Sequence, residues 1–272
     1  MTTPPDDRAK RFRELHVKGE PLLLANAWDV GTARLLASLG YSALATTSAG
    51  HAGSLGRPDG SVSRDEALAH ARELAGATPL PVNADLERCF ADTPEGVAET
   101  LRLAGETGLA GCSIEDFSGD AESPIYPTER AAERVAAAAS AGSGLVLTAR
   151  CENHLHGRPD LADTIARLQA YQAAGADVLY APGLADLEQI RQLVESVDLP
   201  VNVLCLPGGP NVAQLASLGV ARISVGSAFY NVALGALAAA AREWREQGTH
   251  EFWQGAIAGM TAGKLAFTPS DS

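Results

Sequence analysis

Short apolar runs alternate along the chain with longer stretches in which apolar residues recur every three to four positions. The pair of patterns repeats eight times. The runs are LLLANAWD (22–29), YSALATTS (41–48), LPVNADLE (80–87), LAGCSIED (109–116), LVLTAR (145–150), ADVLYAPG (176–183), LPVNVLC (199–205) and ARISVGS (221–227). Between them lie SRDEALAHARELAG, TPEGVAETLRLAGETG, TERAAERVAAAAS, LADTIARLQAYQAAG and LADLEQIRQLVESV, several opening on Ser, Thr or Asp and closing on Gly as helices do. Strands alternating with helices predict a parallel sheet. Eight units of similar size favour an α/β fold closed as a (β/α)8 barrel of the TIM type over an open doubly wound sheet. No GxGxxG follows the first run, where a dinucleotide-binding sheet would carry it. The pattern therefore predicts a single domain spanning 1–272, with the barrel at about 21–230 and a helical extension at about 231–260. The surplus helix carries Phe252 and Trp253, and packing against a second subunit is the expected way to cover it.

Composition narrows the function classes. The 272 residues suit one barrel, a fold that takes about 250. With 46% hydrophobic and 20% charged residues the bulk is globular rather than disordered. A net charge of -12 with no basic cluster repels a phosphate backbone, so nucleic acid is not an expected partner. No uninterrupted apolar window is long enough for a membrane helix, and the start MTTPPDDRAKRFRELH lacks the apolar centre of a signal peptide. A cytoplasmic protein is expected. Cys89, Cys112, Cys151 and Cys205 stand singly without CxxC pairing, which points to reduced thiols rather than zinc or disulfides.

Active sites of such barrels are built at the C-terminal ends of the strands. There the sequence places Trp28 and Asp29, Thr46, Thr47 and Ser48, Asp85 and Glu87, Glu115 and Asp116, and Arg150 followed by Glu152, whereas runs six to eight end in blander residues. Two positions apart on one strand, Asp85 and Glu87 are expected to point the same way, with Glu115 at the same height on the next strand. Three carboxylates at one mouth require a cation or protons, and an all-oxygen set suits Mg2+ or Mn2+ rather than zinc. Arg150 would offer a planar fork to a substrate carboxylate. The alternatives are that Glu115 or Asp116 caps the next helix or pairs with Arg150, and that Arg150 serves only a structural ion pair with Asp116. GSLGRPDG (53–60) is a Gly- and Pro-rich loop of the kind that closes over a substrate, with Asp59 near its tip, although a plain Asp-Gly turn also accounts for it. His154 and His156 read as surface or packing residues. LCLPGGPN (204–211) and VGSAF (225–229) are weak candidates for a phosphate site.

Taken in order, NAWD (26–29), GSLGRPD (53–59), PVNADLE (81–87), GCSIED (111–116), TAR (148–150) and AGADVLYAPG (174–183) resemble the isocitrate lyase/phosphoenolpyruvate mutase superfamily, from about Pro21 to Phe229. The resemblance implies a barrel whose eighth helix is exchanged between subunits, giving a homo-oligomer, usually a tetramer, otherwise a dimer, with bound Mg2+ and an oxo acid or its enol. It makes Asp85 and Glu87 metal ligands, directly or through water, and Glu115 the glutamate that completes the metal's water shell. It makes Arg150 the grip on the substrate carboxylate, and places Thr46, Thr47 and Ser48 around the oxo acid, with Trp28 beside them. Asp59 matches a loop aspartate that contacts the metal's waters or the reacting group.

Departures from the pattern bear on the reaction. Where the tricarboxylate lyases carry a Lys-x-Cys-Gly-His loop, this chain reads FSGDAESPIYPTER, with Ser123 at the cysteine position and Ala121 at the lysine position. A serine hydroxyl is a much weaker acid than a thiol. A glutamate and an asparagine that hold the remote part of those substrates are replaced by Pro182 and Leu204. The sequence thus reads as a Mg2+-dependent lyase that stabilises the enolate of a small 2-oxo or 2-hydroxy acid during C–C cleavage or decarboxylation. Phosphoenolpyruvate mutase or phosphonomutase chemistry is the alternative, and a catalytically silent oxo-acid-binding barrel is the non-enzymatic one.

Overall fold

The structure, a computed structural model, describes residues 5–267. Helix α1 (Pro5–Glu14) leads into β1 (Leu22–Ala27), α2 (Val30–Ser38), β2 (Leu44–Thr46), α3 (Ser48–Ser54), α4 (Arg64–Ala77), β3 (Val82–Asp85) and α5 (Pro94–Gly105). The chain continues through β4 (Gly111–Glu115), α6 (Thr128–Ala139), β5 (Val146–Arg150), α7 (Leu161–Ala173), β6 (Val178–Tyr180), α8 (Leu187–Glu195), β7 (Val201–Leu204), α9 (Val212–Ser217) and β8 (Arg222–Ser224). It ends in α10 (Ala228–Gln247) and α11 (Trp253–Phe267). All eight strands lie inside the eight apolar runs. Every neighbouring pair is parallel, and β1 pairs with β8 from Leu22↔Arg222 to Leu24↔Ser224, closing the barrel.

Caps decide several boundaries. Asp29 and Thr32 form a capping box that starts α2 directly after β1, and Ser63 with Glu66 does the same for α4. Thr47 accepts the Gly50 N–H and turns the chain into α3, so β2 ends at Thr46 and Ser48 is helical rather than the last residue of a strand. Part of the expected 53–60 loop, Gly53 and Ser54, belongs to that helix.

One apolar layer lies between strands and helices and includes Leu44, Leu74, Leu101, Ile114 and Leu168. A second fills the lower barrel with Leu22, Leu24, Ala45, Val146 and Val178, and is plugged by Phe12 of α1, which is wholly buried. Gly111 makes the plug possible: a Cβ there would stand 2.8 Å from Phe12 Cε1 and from the Val146 carbonyl. Above this layer the interior turns polar. Helix α11 lies against α2, and α10 buries none of its residues, leaving Val232, Leu237 and Trp244 exposed. The helical extension therefore reaches Phe267, beyond the expected 260. Among the described residues no helix is long and apolar enough to cross a membrane.

Candidate active site

A cavity of about 200 Å3 opens at the C-terminal end of the barrel and descends into its polar interior. Its wall includes Thr46, Thr47, Asp59, Asp85, Ser113 and Arg150 on one side and Leu155, Pro182 and Leu204 on the other, with Arg222 at its depth. The alternation of strand side chains makes this wall. Arg150 and Glu115 are register partners at the ends of β5 and β4, and both point inward.

Arg150 is the hub. Its Nε donates to Glu152 at 2.8 Å, Nη1 to Asp85 at 2.8 Å and Nη2 pairs with Glu115 at 3.1 Å. Burial opposes its charge, but Glu152, Glu115 and Asp85 outweigh that and raise its pKa well above the usual value. The Glu115 carboxyl is pushed well above the ordinary carboxylate range, first by burial and then by Glu152, Asp85 and Glu87, against the pull of Arg150. Asp116, one residue on, points to the opposite side of the sheet. It accepts from the Tyr171 hydroxyl at 2.6 Å, the Glu152 N–H at 2.8 Å and Arg167 at 3.4 Å, so the structural pair Arg150–Asp116 does not form.

Glu87 reaches the site by a different route from the one its spacing suggested. The strand stops at Asp85, and Glu87 adopts φ 50°, followed by Cys89 at 58° and Phe90 at 54°. Three non-glycine residues in the left-handed region are strained, at about 1–3 kcal/mol each. The bend keeps Glu87 beside the cluster, where burial and then the charges of Asp85 and Asp59 push its pKa up to about 7.

Asp85 is tied on both oxygens: Oδ1 accepts from Arg150, and Oδ2 from the Ser48 N–H at 3.3 Å. Thr46 accepts the Asp85 N–H at 2.9 Å, holding β2 and β3 ends together. Asp59 lines the cavity while accepting its own neighbour's N–H, Gly60, at 3.1 Å, so the Asp-Gly turn and a place in the site coexist. Trp28 is absent from this wall; its carbonyl accepts from His70 at 2.9 Å and its ring packs edge-on against Tyr230, centroids 5.5 Å apart. Ser123 sits exposed in a hairpin where Phe117 and Ile125 bridge, with its carbonyl accepting from Ser118 Oγ at 2.6 Å, and does not line the cavity. His156 stacks on Phe117 of that hairpin, centroids 4.2 Å apart.

Strands β6 to β8 contribute more than their bland ends suggested. Tyr180, Asn202, Arg222 and Ser224 face the cavity, with Asn26 and Ser113. Arg222 is buried, and donates to Asn202 at 2.9 Å and Thr148 at 3.0 Å while lying 3.2 Å from His16 Nε2; burial depresses it to about 10. Carrying the period of two down each strand from the polar ends would have found Ser113, Asn202 and Arg222.

Among the described residues no three His, Cys, Asp or Glu side chains converge as a ready metal-ligand set. The donors that could meet a cation are Asp85 and Glu87, with Glu115 and Asp59 near enough to shift the Glu87 carboxyl or be shifted by it. Asp85, Glu87, Glu115, Asp59 and Glu152 gather around Arg150, and burial followed by the charges of Asp85 and Asp59 raises Glu87 against Arg150 and Arg88. That chemistry fits a hard, largely hydrated cation such as Mg2+, which takes only one or two protein carboxylates.

The phosphoenolpyruvate phosphomutase family model matches residues 12–245. The chain is 37% identical over 235 residues to an uncharacterized protein of Mycobacterium tuberculosis, covering 85% of this chain and 87% of that one. It is 31% identical over 202 residues to the 2-methylisocitrate lyase of Escherichia coli, covering 71% and 68%. A Burkholderia cenocepacia structure described as a lyase/mutase superposes with a TM-score of 0.93 at 50% identity over 98% of both chains. A match over most of the barrel, joined to inward carboxylates around one arginine, has one meaning: the chain belongs to the phosphoenolpyruvate phosphomutase family, within the isocitrate lyase/phosphoenolpyruvate mutase superfamily.

Proposed function

We propose that this protein is a Mg2+-dependent lyase that cleaves a C–C bond of, or decarboxylates, a small 2-oxo or 2-hydroxy acid through an enolate. The observation that carries the reading is the cavity of about 200 Å3, with Arg150 and Asp85 on one wall and Leu155, Pro182 and Leu204 on the other. The charged wall suits an oxo acid, and Leu155, Pro182 and Leu204 offer a third carboxylate no charged partner, the cavity's other cation, Arg222, being turned to Asn202 and Thr148.

Asp85 and Glu87 would hold the cation, Glu115 and Asp59 its waters; when bound, the metal polarises the oxo-acid carbonyl as a Lewis acid. Arg150, clamped by Glu152 on Nε, keeps N–H groups on Nη1 and Nη2 beyond those given to Asp85 and Glu115, and presents them to the substrate carboxylate. Thr46 and Thr47 border the cavity beside Asp85, which the Ser48 N–H holds in place. The apolar wall excludes water from the carbon that becomes electron-rich. The 29% identical relative in Pseudomonas putida, an oxaloacetate decarboxylase, supports the small-acid reading.

A panel of oxaloacetate, short malates, isocitrate and phosphonopyruvate with Mg2+ tests it. Turnover confined to the small dicarboxylates supports the proposal, and turnover of phosphonopyruvate alone moves the protein to P–C chemistry. That second reading draws on the Burkholderia cenocepacia structure described as a phosphonomutase, 37% identical with a TM-score of 0.83 over 90% of this chain. The exposed apolar side chains of α10 and α11 further support assembly with copies of the same chain, which light scattering would read as a dimer or tetramer mass.

A further inference from the structure

One charged side chain stands in the apolar outer layer, away from the cavity. Arg134 lies on the apolar stripe of α6 with Ala131, Val135 and Ala138 and is 1% exposed. Arginine at such a position is unfavourable unless its donors are satisfied. Among the described residues it forms no ion pair with a carboxylate. Its guanidinium instead turns to backbone, leaving Nε alone without a hydrogen-bond partner among the described residues: Nη1 donates to the Glu115 carbonyl at 3.1 Å, and Nη2 to the carbonyls of Arg88 at 2.5 Å and Ala91 at 3.0 Å. The Tyr126 ring covers the cation, 4.5 Å from its centroid.

These three carbonyls belong to the two segments that present the site's carboxylates. Arg88 and Ala91 flank the left-handed residues Cys89 and Phe90, directly after Glu87. Glu115 ends β4, and its N–H donates to the Glu87 carbonyl at 3.1 Å, so the two segments already touch. A turn that places three non-glycine residues at positive φ does not persist on its own preference; the surrounding bonds must over-determine it. The Cys89 N–H to Leu86 at 2.7 Å and Thr100 Oγ1 to the Cys89 carbonyl at 2.9 Å supply part of that constraint. The Arg134 guanidinium adds three further bonds that tie both segments to α6.

We infer that Arg134 is the positioning residue of the active site: by gripping the Arg88, Ala91 and Glu115 carbonyls together, it fixes where the Glu87 and Glu115 carboxylates stand. The inference rests on the reading of those carboxylates as the site. An apolar residue would fill the α6 stripe at lower desolvation cost, yet would leave three carbonyls without their donor and release the turn.

Arg134→Met and Arg134→Lys in the full-length chain test it with two readouts, amide hydrogen exchange and Mn2+ affinity by electron paramagnetic resonance. The expected result for Arg134→Met is at least tenfold faster exchange in residues 86–92 and 115–117, unchanged rates in β6 to β8, and at least tenfold weaker Mn2+ binding. Arg134→Lys, with one nitrogen in place of two, should recover only part of each. Exchange that accelerates equally in every strand, or Mn2+ affinity within twofold of the parent, overturns the inference. If the Met variant does not fold, the Lys variant decides by the same two criteria. A parent that binds no Mn2+ defeats the metal reading alone, and local exchange still decides whether Arg134 is the clamp.

Discussion

Glu115 and Arg150 face each other in register at the ends of β4 and β5 and form an ion pair at 3.1 Å, 9% and 15% exposed as side chains. Because Arg150 also serves Asp85 and Glu152, a change here alters both stability and binding. Arg150→Met should destabilise the protein by about 3–5 kcal/mol, the usual consequence of leaving buried charges unpaired. Arg150→Lys keeps the charge but loses the planar fork, and should weaken oxalate binding by roughly 1.5–3 kcal/mol. Chemical denaturation and calorimetry check the two. Equal oxalate affinity in parent and lysine variant would remove Arg150 from substrate binding.

Glu87 predicts a pH dependence of the metal-free protein. Its folded pKa, about 7, lies above the unfolded value near 4.5, so the folded state holds the extra proton between these values. Its stabilising contribution is complete below about pH 4.5 and is lost as pH rises through 7. Glu87→Gln should therefore raise the melting temperature at pH 8 and leave it nearly unchanged at pH 4, and added Mg2+ should narrow the gap at pH 8. A variant equally or less stable than the parent at pH 8 would show that burial and like charge do not penalise the ionised Glu87.

His16 predicts the opposite sign. Its Nδ1 lies 2.7 Å from the Phe12 carbonyl and its Nε2 3.2 Å from Arg222 Nη1, so the neutral ring donates through Nδ1 and accepts at Nε2. Burial, then the Arg222 charge, lowers it to about 3 from 6.5. The unfolded chain takes up a proton that the folded one refuses, so stability falls as pH drops from 6.5 towards 3. Urea midpoints measured between these limits should decline less steeply in His16→Gln than in the parent. Parallel slopes would refute the linkage.

Substrate size is tested through the apolar wall. With Pro182 and Leu204 in the cavity and Ser123 exposed on the 117–125 hairpin, isocitrate and methylisocitrate should show negligible cleavage. Ser123→Cys should not restore it, because proton transfer worth about 10²- to 10⁴-fold is idle when the remote carboxylate is unheld. Product release assays decide, and robust isocitrate turnover by the parent would contradict the assignment of this loop.

Period and punctuation in the sequence were enough for the eight strands, the closed parallel order and the carboxylates at the strand ends, because alternation along a strand and capping at a helix start are local properties. Asp85, Glu115 and Arg150 were legible for the same reason: each ends a strand. Three features were decided only when distant segments met. Glu87 left the strand pattern for a left-handed turn, held by contacts to β4 and α6 that spacing does not encode. Of the two acids at the end of β4 that the sequence offered Arg150, only Glu115 pairs with it, joined by Asp85, because Asp116 was drawn to Tyr171 and Arg167 on the outer face. Arg222 met His16, 206 positions away, because barrel closure brings the last strand against the first and α1 plugs the floor. Local chemistry chose the elements; their register and closure chose which charges became neighbours.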